Sequence, residues 1–233
     1  MFLCQHFPKR YVLNPVYQHN SNIRRQSLRY IAHMFKYGLK MWLGRRVLRK
    51  DIRCFSSNLK IIVGSASTKQ EGWISTNYPL LDLTNERSFA ALFQSDSVDN
   101  FLAEHVWEHL TQEEGALACK NCFAFLKQGG NLRIAVPDGF HPDMDYIAQV
   151  KPGGYGPGAD DHKVLYNYRT LSKLLSNAGF KVTPLEWFDE QGEFRHENWD
   201  NAGGFIMRST RFDPRNRDNP TAYTSLIIDA RKA

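Results

Sequence analysis

The chain has 233 residues, 42% of them hydrophobic and 13% aromatic, which is enough for one sizeable core and too apolar for a disordered chain. Four cysteines, at positions 4, 54, 119 and 122, are too few for a disulfide scaffold and make a reducing compartment the default. The formal net charge is +6, but residues 1–58 hold 12 Lys and Arg against one acid, Asp51, and residues 59–233 hold 18 basic and 23 acidic residues, which argues against a broad nucleic-acid face on the larger part.

Residues 1–58 read as a basic extension. Leu28, Ile31, Phe35, Leu39 and Trp42 recur at helical spacing, with Arg25, Arg29, Lys36 and Lys40 on another stripe. Such a helix suits peripheral contact with an anionic membrane through residues 25–50; docking of the apolar stripe on the rest of the chain is the equal alternative. Residues 1–50 hold no acid, a feature shared with organelle transit peptides. Polar and basic residues follow Met1–Cys4, so no secretory signal is expected, and no run of about 18 apolar residues predicts a transmembrane helix. Residues 1–24 show no periodicity and are expected to be mobile. The expected location is cytoplasmic, with the membrane surface as a variant.

From Leu59 the pattern changes to short apolar runs that end in small or polar residues, as in an open α/β sheet whose strand ends share a ligand-binding edge. Lys60–Val63 is the first predicted strand, and Gly64-Ser65-Ala66 is a turn of small residues where backbone could approach a ligand. Nine residues separate it from the second strand, Trp73–Thr76, too few for an ordinary crossover helix. Asn77 stands where dinucleotide folds carry an acid for ribose hydroxyls, without the charge that strengthens such bonds. Asp82, in Leu81-Asp82-Leu83, reads equally as a turn or N-cap carboxylate.

Val98–Ala103 is the next predicted strand, and Glu104-His105-Val106-Trp107-Glu108-His109 follows it. The order departs from His-Glu-x-x-His, and no fourth ligand is evident, so no metal is expected. Glu108 and His109 are expected to anchor the following helix. Thr111 and Glu114 make a capping box. Cys119 and Cys122 share a face of that helix and are expected to be core thiols. Gly129-Gly130 is expected to end the helix, before a strand over Leu132–Val136 that leads into Pro137-Asp138.

The order and spacing of these pieces, with the run Leu126–Asp138, resemble the class I S-adenosylmethionine (SAM)-dependent methyltransferases, and most nearly a group of bacterial proteins labelled predicted SAM-dependent methyltransferases. The resemblance covers about residues 59–232. It implies a Rossmann-like, mostly parallel seven-stranded sheet with helices on both faces, an antiparallel C-terminal strand and an N-terminal helical extension. It also implies that Gly64, Ser65 and Ala66 face the methionine part of SAM, with Ala66 where the family has a second glycine. By the same resemblance Asn77 lies at the ribose, Asp82 and Leu83 at the adenine, and Glu104 and His105 at the sulfonium end.

Gly139–Gly158 is polar and glycine-rich and reads as a loop over the site. Tyr168–Phe180 reads as a helix, with Lys181–Phe188 and Ser225–Ala230 as closing strands. Between them, Phe205–Ser209 and Arg211–Asn216 resemble a signature of the same bacterial group; their arginines suit either an acceptor anion or an Arg–Asp network that shapes the loop. The implied function is methyl transfer to a small-molecule or glycan hydroxyl or carboxylate, with His162, Asp138 and His141 as candidate bases for a hydroxyl acceptor. A catalytically inactive methyltransferase-like scaffold is the alternative, favoured by Ala66 and Asn77. Nucleic acid is not an expected partner; binding of RNA through the extension would be its only route. Two domains are expected, 1–58 and 59–233.

Overall fold

The computed structural model describes residues 22–55, 57–217 and 223–233, with side chains described from His33 onward except Tyr37. The expectations for residues 1–21, and for the side chains of Arg25, Leu28, Arg29 and Ile31, lie outside the described residues, while residues 22–24, expected without periodicity, belong to the first helix. The chain divides into two units between Arg46 and Val47, inside the first helix, α1 (Asn22–Cys54). In the first unit Phe35, Leu39, Trp42 and Leu43 are exposed, and the Arg46 guanidinium lies 5.4 Å from the Trp42 ring centre. No helix among the described residues is long and apolar enough to cross a membrane.

The second unit is built on one seven-stranded sheet. Its strands are β1 (Lys60–Val63), β2 (Ile74–Ser75), β3 (Val98–Glu104), β4 (Leu126–Val136), β5 (Lys181–Phe188), β6 (Phe194–His196) and β7 (Leu226–Arg231). Their order is β2-β1-β3-β4-β7-β5-β6. The pairings β2–β1, β1–β3 and β3–β4 are parallel, and β4–β7, β7–β5 and β5–β6 are antiparallel. The expectation of a mostly parallel sheet is therefore corrected to a mixed one. The closing strands form where expected, and the short β6 adds a third antiparallel pairing at the edge.

Alternation along the strands sorts the core into two faces. Ile61, Val63, Phe101, Leu132, Ile134, Leu226 and Ile228 share one cluster with Leu48 and with residues of α2 (Glu86–Ala90), α3 (Gln112–Phe125) and α5 (Tyr168–Asn177). Ile62, Leu102, Ala135 and Ile227 form the other, closed by Leu185 and Ile206, with Trp73 and Trp199 packed against it. Helices were expected on both faces; among the described residues the α-helices that pack on the sheet lie on one, and the segment around Trp199–Ile206, with a 3-10 turn at Asn201–Gly203, covers the other. The reason is local. The ten residues between β1 and β2 form no helix, only turns, a bend and irregular chain, so the crossover there has no helix to lay on that face.

Three more boundaries depend on details of sequence. The capping box of Thr111 and Glu114 starts α3 as predicted, and Asn167 with Thr170 makes a second at α5. Gly129-Gly130 does not end α3, which stops at Phe125. These glycines form an irregularity in β4, where the register passes from Val98↔Leu126 to Asn100↔Asn131. A Cβ at Gly130 would lie 2.9 Å from Lys127 O and 3.0 Å from Asp99 O, so the turn closes only on glycine. Within the predicted loop 139–158, Asp143 caps a helix, α4 (Met144–Val150), accepting from Asp145 and Tyr146 N–H.

Candidate active site at the sheet edge

Strand order reverses at β1, whose neighbours are β2 on one side and β3 on the other. In open α/β sheets the crevice beyond the strand ends at such a point is where ligands bind. Here it is a narrow cleft of about 10 Å³ lined by Ile62, Val63, Gly64, Ser65, Thr68, Leu102 and Glu104. Gly64 has φ +59°, and a Cβ there would lie 2.6 Å from Val106 Cγ2. Packing against Val106 and the left-handed backbone together restrict this position to glycine, which also lines the cleft.

The polar side chains predicted around this cleft are largely engaged with protein. Asn77 Oδ1 accepts the Ala66 N–H at 2.8 Å, and its Nδ2 donates to Ser65 Oγ at 3.0 Å and Ala66 O at 3.3 Å. It braces the turn, in which Ala66 itself has φ +47°. Asp82 Oδ1 accepts from Thr84 N and Oγ1, which makes it a turn carboxylate. Leu83 is buried, and its carbonyl accepts from Asn121. Glu104 accepts the N–H groups of Arg208 at 2.8 Å and Met207 at 3.2 Å. Gln70, two residues beyond Thr68, exchanges a pair of hydrogen bonds with the Phe205 backbone at 2.7 and 2.8 Å. Both rims are therefore tied to one segment, Phe205–Arg208, and the cleft, at about 10 Å³, is far below the roughly 300–1,000 Å³ usual for small-molecule sites.

That segment is fixed from below by side chains that sequence reasoning passed over. Arg133, nearly inaccessible, pairs with Asp229 through Nε and Nη2 at 2.7 and 2.8 Å and donates to the carbonyls of Asp200 and Gly204. Buried Glu186 accepts from Trp199 Nε1, Thr210 N, Thr210 Oγ1 and Thr224 Oγ1. Arg211 donates to Trp199 O, and Arg215 pairs with Asp213 over the Tyr223 ring. Of the two readings of these arginines, the loop-shaping network is the one formed by Arg211 and Arg215.

The three predicted bases fall into two places. Asp138 is fully buried; Oδ1 accepts from Phe140 N and Oδ2 from Phe188 N, and burial pushes its carboxyl up to about 6. His141 stacks on Tyr146 at 4.0 Å and accepts the Asp143 N–H through Nδ1. His162 lies apart from them, with its ring 4.8 Å from that of His109.

His105 joins the end of β3 to that second place. It has φ +56°, with Nδ1 2.8 Å from Glu108 Oε1 and Nε2 3.0 Å from Ser225 Oγ. Burial, then the Arg208 charge, holds it well below the usual histidine range. Glu108 and His109 do not serve as the anchor of α3 expected from sequence. Trp107 does, with its fully buried indole donating to Gly115 O at 3.3 Å, while the Glu108 carbonyl accepts from Lys163 and Val164 N–H. Cys119 and Cys122 are buried free thiols, Cys119 pushed up to about 12 by desolvation.

No family model and no curated protein matches the sequence. Similar solved structures include a SAM-dependent methyltransferase, possible histamine N-methyltransferase, from Thermotoga maritima, at 13% identity and TM-score 0.45 over 88% of this chain and 97% of that one. A SAM-dependent methyltransferase from Archaeoglobus fulgidus is similar at 15% identity and TM-score 0.41, over 86% and 99%. A putative S-adenosylmethionine-dependent methyltransferase from Listeria monocytogenes is similar at 11% identity and TM-score 0.44, over 81% and 97%.

Proposed function

We propose that this chain is a SAM-dependent methyltransferase whose cofactor lies along the Gly64 turn. The observation that carries the reading is the small-residue turn, with Gly64 lining the cleft at the switch point of the sheet, and the sequence resemblance over residues 59–232 supports it. Bound SAM supplies an electrophilic methyl group on a positive sulfur. The chain's task is then to align the acceptor with that carbon and, for a hydroxyl acceptor, to remove a proton. Gly64–Ala66 carries the methionine part. Asp82 takes the adenine side through the lone pairs that Thr84 leaves, and Glu104 lies at the sulfonium end. Among the three candidate bases, Asp138 has both oxygens on backbone N–H groups and His141 has one nitrogen so occupied. His162 likewise has Nδ1 on a backbone group, Val150 O, so both histidines keep Nε2, that of His141 being buried. A small-molecule or glycan acceptor would enter from the side of His105 and His162.

One observation favours the alternative of an inactive scaffold: Phe205–Arg208 bridges both rims of the cleft. On the active reading this segment shifts when the cofactor binds. Calorimetric titration with SAM and S-adenosylhomocysteine, beside NAD and ATP, separates the two. Saturable binding of the first pair alone is expected. Heat-silent titrations with all four at millimolar ligand would move the scaffold to the front.

The basic first unit, with Phe35, Leu39, Trp42 and Leu43 exposed, supports peripheral contact with an anionic lipid surface. A cytoplasmic enzyme held at the membrane would meet a lipid-linked or envelope acceptor.

A further inference from the structure

We propose that Glu108, His109 and His162 form a binding site for one divalent first-row transition metal ion of the zinc class. One ligand atom from each lies within 4.8 Å of the others. Zinc holds nitrogen and carboxylate oxygen at about 2.0–2.2 Å in tetrahedral geometry, which sets ligand atoms roughly 3.3–3.6 Å apart, so the ligand atoms would close by up to about 1.5 Å through side-chain adjustment.

The surroundings point to a ligand. Glu108 is 1% exposed, yet neither of its carboxylate oxygens receives an aligned hydrogen bond, and the buried His109 Nδ1 is likewise without one. His105 Nδ1 approaches Glu108 Oε1 to 2.8 Å without that alignment. Leaving buried acceptors unsatisfied is costly, and a cation at the convergence of the three would satisfy them together. Burial raises the Glu108 carboxyl and lowers His109, so desolvation disfavours charge on both groups where no counter-ion is present.

The supporting shell is already in place. His162 Nδ1 lies 2.6 Å from Val150 O, a contact that fixes Nδ1 as the protonated nitrogen and leaves the Nε2 lone pair for a metal. Asp161 Oδ2 stands 3.4 Å from His109 Nδ1, on the side where the ion would bind, while Asp161 Oδ1 pairs with the Lys163 ammonium. The backbone is pinned on both sides: Glu108 O accepts from Lys163 N at 2.6 Å and Val164 N at 3.3 Å, so the two segments that supply ligands are stapled together. Fully buried Trp107 holds the turn that carries Glu108 and His109. His105 does not join the set, since its two nitrogens face Glu108 and Ser225.

Two histidines and one carboxylate leave coordination positions open, as in catalytic rather than structural sites. Resting on the methyltransferase reading, the ion would receive an acceptor oxygen and lower its pKa, with His162 as a ligand instead of a free base. The metal site can be tested apart from that reading.

Chelator-treated protein carrying Cys4→Ser and Cys54→Ser, which removes the exposed thiol among the described residues and the one outside them, is titrated with Co2+ alone, followed by visible absorption and equilibrium dialysis. The expected result is a d–d spectrum for a bound equivalent that Zn2+ displaces and whose affinity falls at least tenfold in Glu108→Gln and in His162→Ala. Zn2+ should raise the thermal midpoint of the parent and not of either variant. Should a variant fail to fold, paramagnetic broadening of the His109 and His162 ring protons in the parent on Co2+ addition gives the same answer. Binding that is unchanged in both variants, no binding up to millimolar Co2+, or broadening confined to other histidines would overturn the proposal. Cobalt binding without SAM binding would leave the site standing and sink the methyltransferase reading alone.

Discussion

Asp138 is wholly buried, and its carboxyl is raised from 3.8 to about 6 by desolvation, against the lowering effect of the Phe140 and Phe188 N–H groups. Between those two values the folded chain holds a proton that the unfolded chain has lost. Stability from this group is therefore full below about pH 4 and declines as pH rises through 6, by about 3 kcal/mol in total. In urea unfolding, the wild type should gain about 2–3 kcal/mol relative to Asp138→Asn on going from pH 7.5 to pH 4. A difference that does not change with pH would show an ordinary carboxyl. Its sequence position after Pro137 marked Asp138 as an edge residue, but its depth was set by Phe188, fifty residues away.

At the scale of elements, the segment over the second sheet face is held largely by single buried side chains. Glu186 takes four donors from three places in the sequence, at 2.7–2.9 Å. Replacing it with Gln turns one acceptor oxygen into an amide that faces donors. We expect a loss of about 2–4 kcal/mol in unfolding free energy. Hydrogen exchange should accelerate more over residues 199–212 than in α3. Equal protection of the segment in wild type and Glu186→Gln would mean that Arg133 and the Ile206 contacts suffice. The element boundaries that the sequence placed well, such as the start of α3 at Thr111, rest on local chemistry: a cap and its partner lie three residues apart. Gly129-Gly130 was misplaced because its partners, Lys232 and Asp99, are remote, and a glycine pair looks the same after a helix as inside a bulge.

For the whole molecule the charge asymmetry is the leading feature. Residues 1–46 hold nine Lys and Arg and no acid. Each basic residue near an anionic leaflet contributes about 1 kcal/mol, and the attraction decays within a Debye length. The protein should sediment with vesicles containing phosphatidylserine at about 0.1 M salt and should be released at about 1 M. The double variant Phe35→Ser, Trp42→Ser should weaken binding at low salt by removing two exposed anchors. Equal sedimentation with neutral phosphatidylcholine vesicles would remove the electrostatic basis of the proposal.

The sequence by itself determined the local grammar: the strands Lys60–Val63 and Val98–Ala103, the capping box at Thr111, the core thiols and the small-residue turn at Gly64. Each follows from residues within one turn or one strand of each other. Only the tertiary structure decided which distant side chains meet. It placed His162 beside Glu108 and His109, laid Phe205–Arg208 across the rims of the cleft, and turned Asn77 and Glu104 inward onto backbone. These outcomes depend on the register of β3, β4 and β7 and on loops folded over their ends, where free energy is summed over contacts between remote residues. The motif Glu104–His109 gave signs of metal chemistry in its residue types, but the ligand that completes the set lies 53 positions after His109 in the chain, and its distance in space was fixed by the fold.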